Sequence, residues 1–187
     1  VEFQTVYAPK GLAARLKAEG ERTDADLVLT VDISRIKELA DTGLLAPLGS
    51  DKLNKQVPIH LRDSNDRWTA LSLRARIIAV SKERVGKEAI TTIEDLASPK
   101  WKGRVCTRKG SHVYNRAVLA SLIAHNGKEA AKQWTLGLIE NLARRPQGND
   151  RSQAKAIYTG QCDVALMNTY YYGKMKFAKD KPEQQKW

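Results

Sequence analysis

The sequence predicts an α/β protein in two lobes, and three features carry that reading. Short apolar runs alternate with amphipathic segments along the whole chain, the pattern of βαβ units around parallel-rich sheets flanked by helices. Residues 68–81 form a strand-like run too long for one edge of a small sheet, as suits a strand that leaves one lobe and enters another. Residues 163–167 are apolar and branched enough to be a strand buried on both faces, and they lead directly into three tyrosines.

Composition sets the outer limits. The 187 residues are 42% hydrophobic, with no apolar run near the roughly 20 residues needed to span a bilayer. That is core enough for one large or two small domains. A formal charge of +11, from 32 Lys+Arg against 21 Asp+Glu, raises nucleic acid or anionic surfaces as partners. The basic residues are spread along the chain with no dense run and no interleaved aromatics, which argues against nucleic acid. Residues 1–6 already read as a strand without an initiator methionine or leader, and residues 179–187 close no element. The expectation is the middle of a longer mature protein.

Taken in order, residues 9–20 predict a helix ended by Gly20, and residues 26–32 a buried strand. Residues 33–40 place Ile36 and Leu39 on one helical face, stopped by Asp41-Thr-Gly43. Residues 44–57 read as loop and short helix ended by Pro58, and a turn at 63–67 precedes the long run at 68–81. Arg74 and Arg76 interrupt that run at alternate positions.

The second half repeats the alternation. A short helix begins at Ile93, and residues 99–103 turn into a strand at 104–107. Ser111 can cap a helix over 114–125, with Val118, Leu119, Leu122 and Ile123 on one face. Residues 128–142 form another amphipathic helix around Trp134, and Asn149 or Asp150 caps a further one ending near Thr159. After the strand at 163–167, Asn168 or Thr169 caps a helix toward Phe177.

Ligands bind at the carboxyl ends of strands in open α/β sheets, and Tyr114, Tyr170, Tyr171 and Tyr172 all stand there. Packing is one explanation, because tyrosine suits interfaces. Metal is the other: a phenol ionises only near pH 10, but a hard trivalent cation on its oxygen reverses the preference. Phenolate oxygen then suits ferric iron better than zinc or copper. Consecutive helical side chains point about 100° apart, so two of the three adjacent phenols can converge and the third turns away.

Several segments together carry a family resemblance. Trp101-Lys-Gly-Arg-Val-Cys106, Ser111-His-Val-Tyr-Asn115, Arg145-Pro-Gln-Gly-Asn-Asp-Arg151, Gly160-Gln-Cys-Asp163 and Asn168-Thr-Tyr-Tyr-Tyr-Gly173 resemble the ferric-iron-binding proteins of bacterial ABC importers. The similarity runs from Lys10 past Tyr172. It implies a periplasmic binding protein of type II with an incomplete first lobe in residues 1–73 and a crossover strand at 74–81. The second lobe would occupy 82–167, and a second hinge region 168–187. By the same resemblance Tyr114, Tyr170 and Tyr171 bind Fe(III), Tyr172 only packs, and Arg74 stands beside the iron. The cargo would pass to an inner-membrane ABC permease, and the intact protein would be a monomer. The family's further tyrosine, often joined by a histidine, comes from a segment that would precede Val1.

That setting also frames the cysteines. Cys106 and Cys162 fall on two strands of one lobe, and an isolated pair in an exported protein favours a disulfide. His60, His112 and His125 show no metal-binding spacing. No nucleophile elbow, Walker loop or dinucleotide fingerprint occurs, so the expectation is capture and release, with no enzyme activity. Arg108-Lys-Gly-Ser111 before a helix is the nearest thing to an anion cradle. It supports the alternative of a two-lobe receptor for an oxyanion or other small organic ligand.

Overall fold

Short polar side chains start two of the three helices in the first of two compact units, Val1–Leu73, of the computed structural model, which describes residues 2–8, 11–86 and 90–187. Helix α1 (Leu12–Glu19) follows Gly11, whose φ of 74° is left-handed and suits glycine. Pro9 and Lys10, where the expected helix begins, lie outside the described residues. Helix α2 (Ile33–Ala40) begins where the Asp32 carboxylate accepts from the Ser34 amide, and it buries Leu39 and Ala40. In α3 (Asp51–Gln56) the Ser50 hydroxyl accepts from the Leu53 amide. The Arg67 guanidinium knits the unit by donating to the Ala40 carbonyl at 3.0 Å while pairing with Asp63 at 2.6 Å.

The two strands expected in this unit are not formed. Residues 26–32 have no strand structure, and Leu27 and Leu29 are 67% and 66% exposed. Residues 2–6 are likewise irregular and exposed, with Val1 outside the described set. The physical reason is pairing: strand backbone needs a neighbour for its N–H and C=O groups. Among the described residues of this unit the only ladder contact is an isolated bridge between Arg62 and Thr69.

The second unit, Arg74–Trp187, is built on a three-stranded sheet. Strand β1 (Arg76–Val80) and β2 (Val105–Cys106) flank a central β3 (Val164–Asn168). The sheet is mixed: β3 runs antiparallel to β1 from Arg76↔Asn168 to Val80↔Val164, and parallel to β2 at Val105↔Val164 and Cys106↔Ala165. Only residues 76–80 of the expected 68–81 strand find that partner, which is why the strand is five residues long.

All of β3 is buried, and its side chains alternate between faces as strand geometry requires. Val164 and Leu166 pack with Leu96, Trp101 and Val105. Ala165 joins Cys106, Ala156 and Cys162, while Met167 joins Ala154 and Met175. Helices cover both sides. The two helices expected at 114–125 and 128–142 form one element, α4 (Val113–Glu140), broken at Gly127 where φ is 82°. Its cap is His112, whose Nδ1 accepts from the Tyr114 amide at 3.2 Å, and Ser111 does not fill that role. Helix α5 (Asp150–Tyr158) starts with a reciprocal capping box between Asn149 and Ser152. Gly148 precedes it at φ 69°, where a Cβ would sit 2.6 Å from that of Ser152. Helix α6 (Thr169–Lys176) continues directly from β3, with Asn168 at the cap position but making no side-chain cap bond.

Candidate metal centre

Strand ends and helix starts bring three phenols together. Tyr114 is the second residue of α4, and Tyr170 and Tyr171 are the second and third of α6. The Tyr114 and Tyr170 hydroxyl oxygens lie 3.2 Å apart. Tyr171 lies against Tyr170, their ring centres 4.4 Å apart at 30°. Tyr172, 60% exposed, turns away, as the helical repeat requires.

The middle oxygen is electrostatically distinct. Burial alone would raise the Tyr170 pKa, but the polar side chains of Tyr114, Tyr171 and Asn168 beside its oxygen outweigh it and leave Tyr170 below an ordinary phenol. Burial, and then the bond given to Tyr170, raise Tyr114, with Arg74 and Arg108 opposing. The same two causes push Tyr171 up to about 12. Of the three, Tyr170 is therefore the phenol that ionises most readily.

Positive charge surrounds the group. The guanidinium carbons of Arg74 and Arg108 each stand 5.1 Å from the Tyr114 ring centre, and that of Arg76 stands 5.6 Å away. His112 meets the same ring edge-on at 4.6 Å. The other two histidines lie elsewhere: His60 in the first unit, and His125 on α4, where its Nδ1 contacts the Ser121 carbonyl at 2.8 Å.

Beneath the phenols is a buried polar network that reading by residue type did not pick out. Asp150 is fully buried and accepts from Arg76 at 2.6 Å, Arg108 at 3.1 Å and the Asn168 amide at 2.8 Å. Arg76 also donates to Asn168 Oδ1 at 3.2 Å and to Asn115 Oδ1 at 3.1 Å. Asn115 in turn donates to Thr107 Oγ1 and the Arg108 carbonyl, both at 3.0 Å. One carboxylate thus links β1, the end of β3 and the loop before α4. In sequence Asp150 looks like a helix cap and Arg76 like a strand interruption. The one available signal was an arginine at an inward strand position, which needs a buried partner.

A disulfide joins Cys106 of β2 to Cys162 just before β3, with Cα atoms 5.9 Å apart. Chemically the site offers three hard oxygen donors beside guanidinium groups, a set suited to a trivalent cation. Among the described residues no group of three or more His, Cys, Asp or Glu side chains gathers to hold a metal.

Residues 23–183 match the family model described as bacterial extracellular solute-binding protein. The chain belongs to that family. This solute-binding chain is 41% identical over 169 residues to iron uptake protein A1 of Synechocystis, covering 90% of itself and 47% of that protein. The chain spans about half the length of the curated relatives it matches. Its fold matches ferric iron-binding protein A of Mannheimia haemolytica in an open conformation, with a TM-score of 0.88, 48% identity, and coverage of 97% of this chain and 57% of that one. A Trichodesmium protein solved in complex with iron and citrate ligands matches with a TM-score of 0.88 and 40% identity, over 94% of this chain and 55% of its own.

Proposed function

We propose that the cargo of this solute-binding protein is ferric iron, held by the phenolate oxygens of Tyr114, Tyr170 and Tyr171. The observation that carries the reading is the 3.2 Å contact between the Tyr114 and Tyr170 oxygens, with the Tyr171 ring against that of Tyr170. Three phenols have no reason to aim at one another in a plain packing cluster, where their hydroxyls would seek separate partners. Arg74 sits where its charge offsets that of the phenolates. The similarity to iron uptake and ferric-binding proteins supports the same cargo. In this reading the protein works in the periplasm and hands the ion to an inner-membrane ABC permease. Residues 74–81 and 168–187 are the hinge segments, and no bond of the cargo is broken.

A second reading has one observation in its favour. Arg74 and Arg108 flank the phenols, so an oxyanion could be the cargo with the tyrosines as walls. Titration with ferric citrate under a visible spectrometer separates the two. Iron bound to phenolate gives a red or orange charge-transfer band. A colourless protein whose unfolding is shifted by phosphate or citrate alone would replace iron with the oxyanion.

A further inference from the structure

The iron reading leaves the charge unexplained. Residues 74–187 hold 22 of the 32 Lys+Arg but 10 of the 21 Asp+Glu, a formal +12, while residues 1–73 hold the other 10 and 11, a formal −1. A cationic cargo gains nothing from that excess, which repels it. Tyr172 is unused as well, since it turns away from the other phenols.

Both meet on the outer side of α6 and the segment after it. The inner side of α6 sets Tyr171 and Met175 against Ala154 and Met167. On the outer side Tyr172 is 60% exposed and Phe177 72%, and Lys176 Nζ stands 5.7 Å from the centre of each ring. Lys179, Lys181 and Lys186 follow in the next segment, all exposed, against two acids, Asp180 and Glu183.

We propose that this face, centred on Tyr172, Lys176 and Phe177, binds the surface of an anionic lipid bilayer. Amphipathic and aromatic side chains settle at the headgroup boundary, and lysine stems lie along apolar surface with their ammonium groups toward phosphate. Each lysine brought to an anionic membrane adds about fivefold to partitioning. A small free oxyanion needs cations converging on one point, whereas these are strung along a helix and the segment that follows it. Phe177 has no polar tip for such a ligand to bond and gains by entering the acyl boundary. Among the described residues no helix is long and apolar enough to cross a membrane, so the contact is peripheral. The proposal does not depend on iron.

The test is co-sedimentation of the full chain with two kinds of vesicle, phosphatidylcholine alone and phosphatidylcholine with about a quarter phosphatidylglycerol. Binding to the anionic vesicles should exceed that to the neutral ones by roughly tenfold or more, and most of it should vanish in about 1 M salt. Lys176→Glu should weaken it about twentyfold, because the change reverses one charge at the surface, and Phe177→Ser by several-fold. Lys132→Glu, an exposed lysine on α4, should cost less than about threefold. Circular dichroism checks the folding of each variant, and should Phe177→Ser unfold, Lys176→Glu against Lys132→Glu decides. Equal binding to both vesicles, or equal losses from both lysine reversals, overturns the proposal. So does single-stranded oligonucleotide displacing the protein from vesicles with the same dependence on Phe177, which would reassign the face to nucleic acid.

Discussion

The phenol oxygens of Tyr114 and Tyr170 meet at 3.2 Å although 56 residues separate them, because each stands one turn or less into a helix that follows a strand of the same sheet. On the proposed iron reading Tyr170 ionises first, so Tyr170→Phe removes both that phenolate and the oxygen that meets Tyr114. We expect that change, and Tyr171→Phe, to abolish the charge-transfer band that the proposed function requires on adding ferric citrate. Tyr114→Phe should weaken or abolish it, while Tyr172→Phe should leave it nearly intact. Equal losses from all four in a visible titration would sink the assignment of faces on α6.

Protons give a second handle on the same group. Without metal, the three phenols should ionise in order as pH rises, Tyr170 below an ordinary tyrosine and Tyr171 near 12. Ultraviolet difference titration checks this, since Tyr170→Phe should delete the earliest step and Tyr171→Phe the latest. On the proposed reading iron displaces all three protons. The raised values of Tyr114 and Tyr171 therefore oppose binding, and affinity falls as pH falls. Against a chelator of known proton uptake the slope should approach roughly a thousandfold per pH unit, one proton for each phenol. Tyr114→Phe, where it still binds iron, should reduce it to about a hundredfold.

How much of this was legible beforehand differs between the two units. The burial of β3, the helix behind it and the divergence of Tyr172 follow from period and composition, because each depends on residues close in sequence. The strands expected at 1–6 and 26–32 failed for the opposite reason: alternation tells which face a residue would take but not whether a partner strand is present. The helix cap moved from Ser111 to His112 because residue type ranks caps without knowing where a ring nitrogen points. Asp150 escaped because a carboxylate at a helix start is normally solvated. Nothing nearby in sequence announces that Arg76, 74 positions earlier, is its partner.

That carboxylate should be the most sensitive polar position in the second unit. Asp150→Asn removes the counter-charge of Arg76, whose side chain is 9% exposed, and weakens the bond from Arg108. Breaking a buried pair from one side costs about 3–5 kcal/mol, more than the pair itself contributes. Urea unfolding should record a loss of that size. Pairing Asp150→Asn with Arg76→Met should recover part of it, because Arg108 is then the one partner left without its counter-charge and the more deeply buried Arg76 is gone. A double variant no more stable than the single one would contradict the argument.

The disulfide should matter for stability more than for the site. Cys106 and Cys162 close a loop across 56 residues, for which chain entropy gives about 4 kcal/mol. Cys106→Ser with Cys162→Ser should therefore lower the unfolding midpoint strongly. Only two residue pairs join β2 to β3, so the bond is a large share of what ties those strands. The phenols have a second tether, since Arg76 and Asp150 hold Asn115, next to Tyr114, and Asn168, two residues before Tyr170. We accordingly expect the charge-transfer band of the double serine variant, measured in the cold where it stays folded, to keep its wavelength. A shifted or missing band with an unchanged circular dichroism spectrum would show that the covalent tie, and not the buried ion pair, sets the spacing of the oxygens.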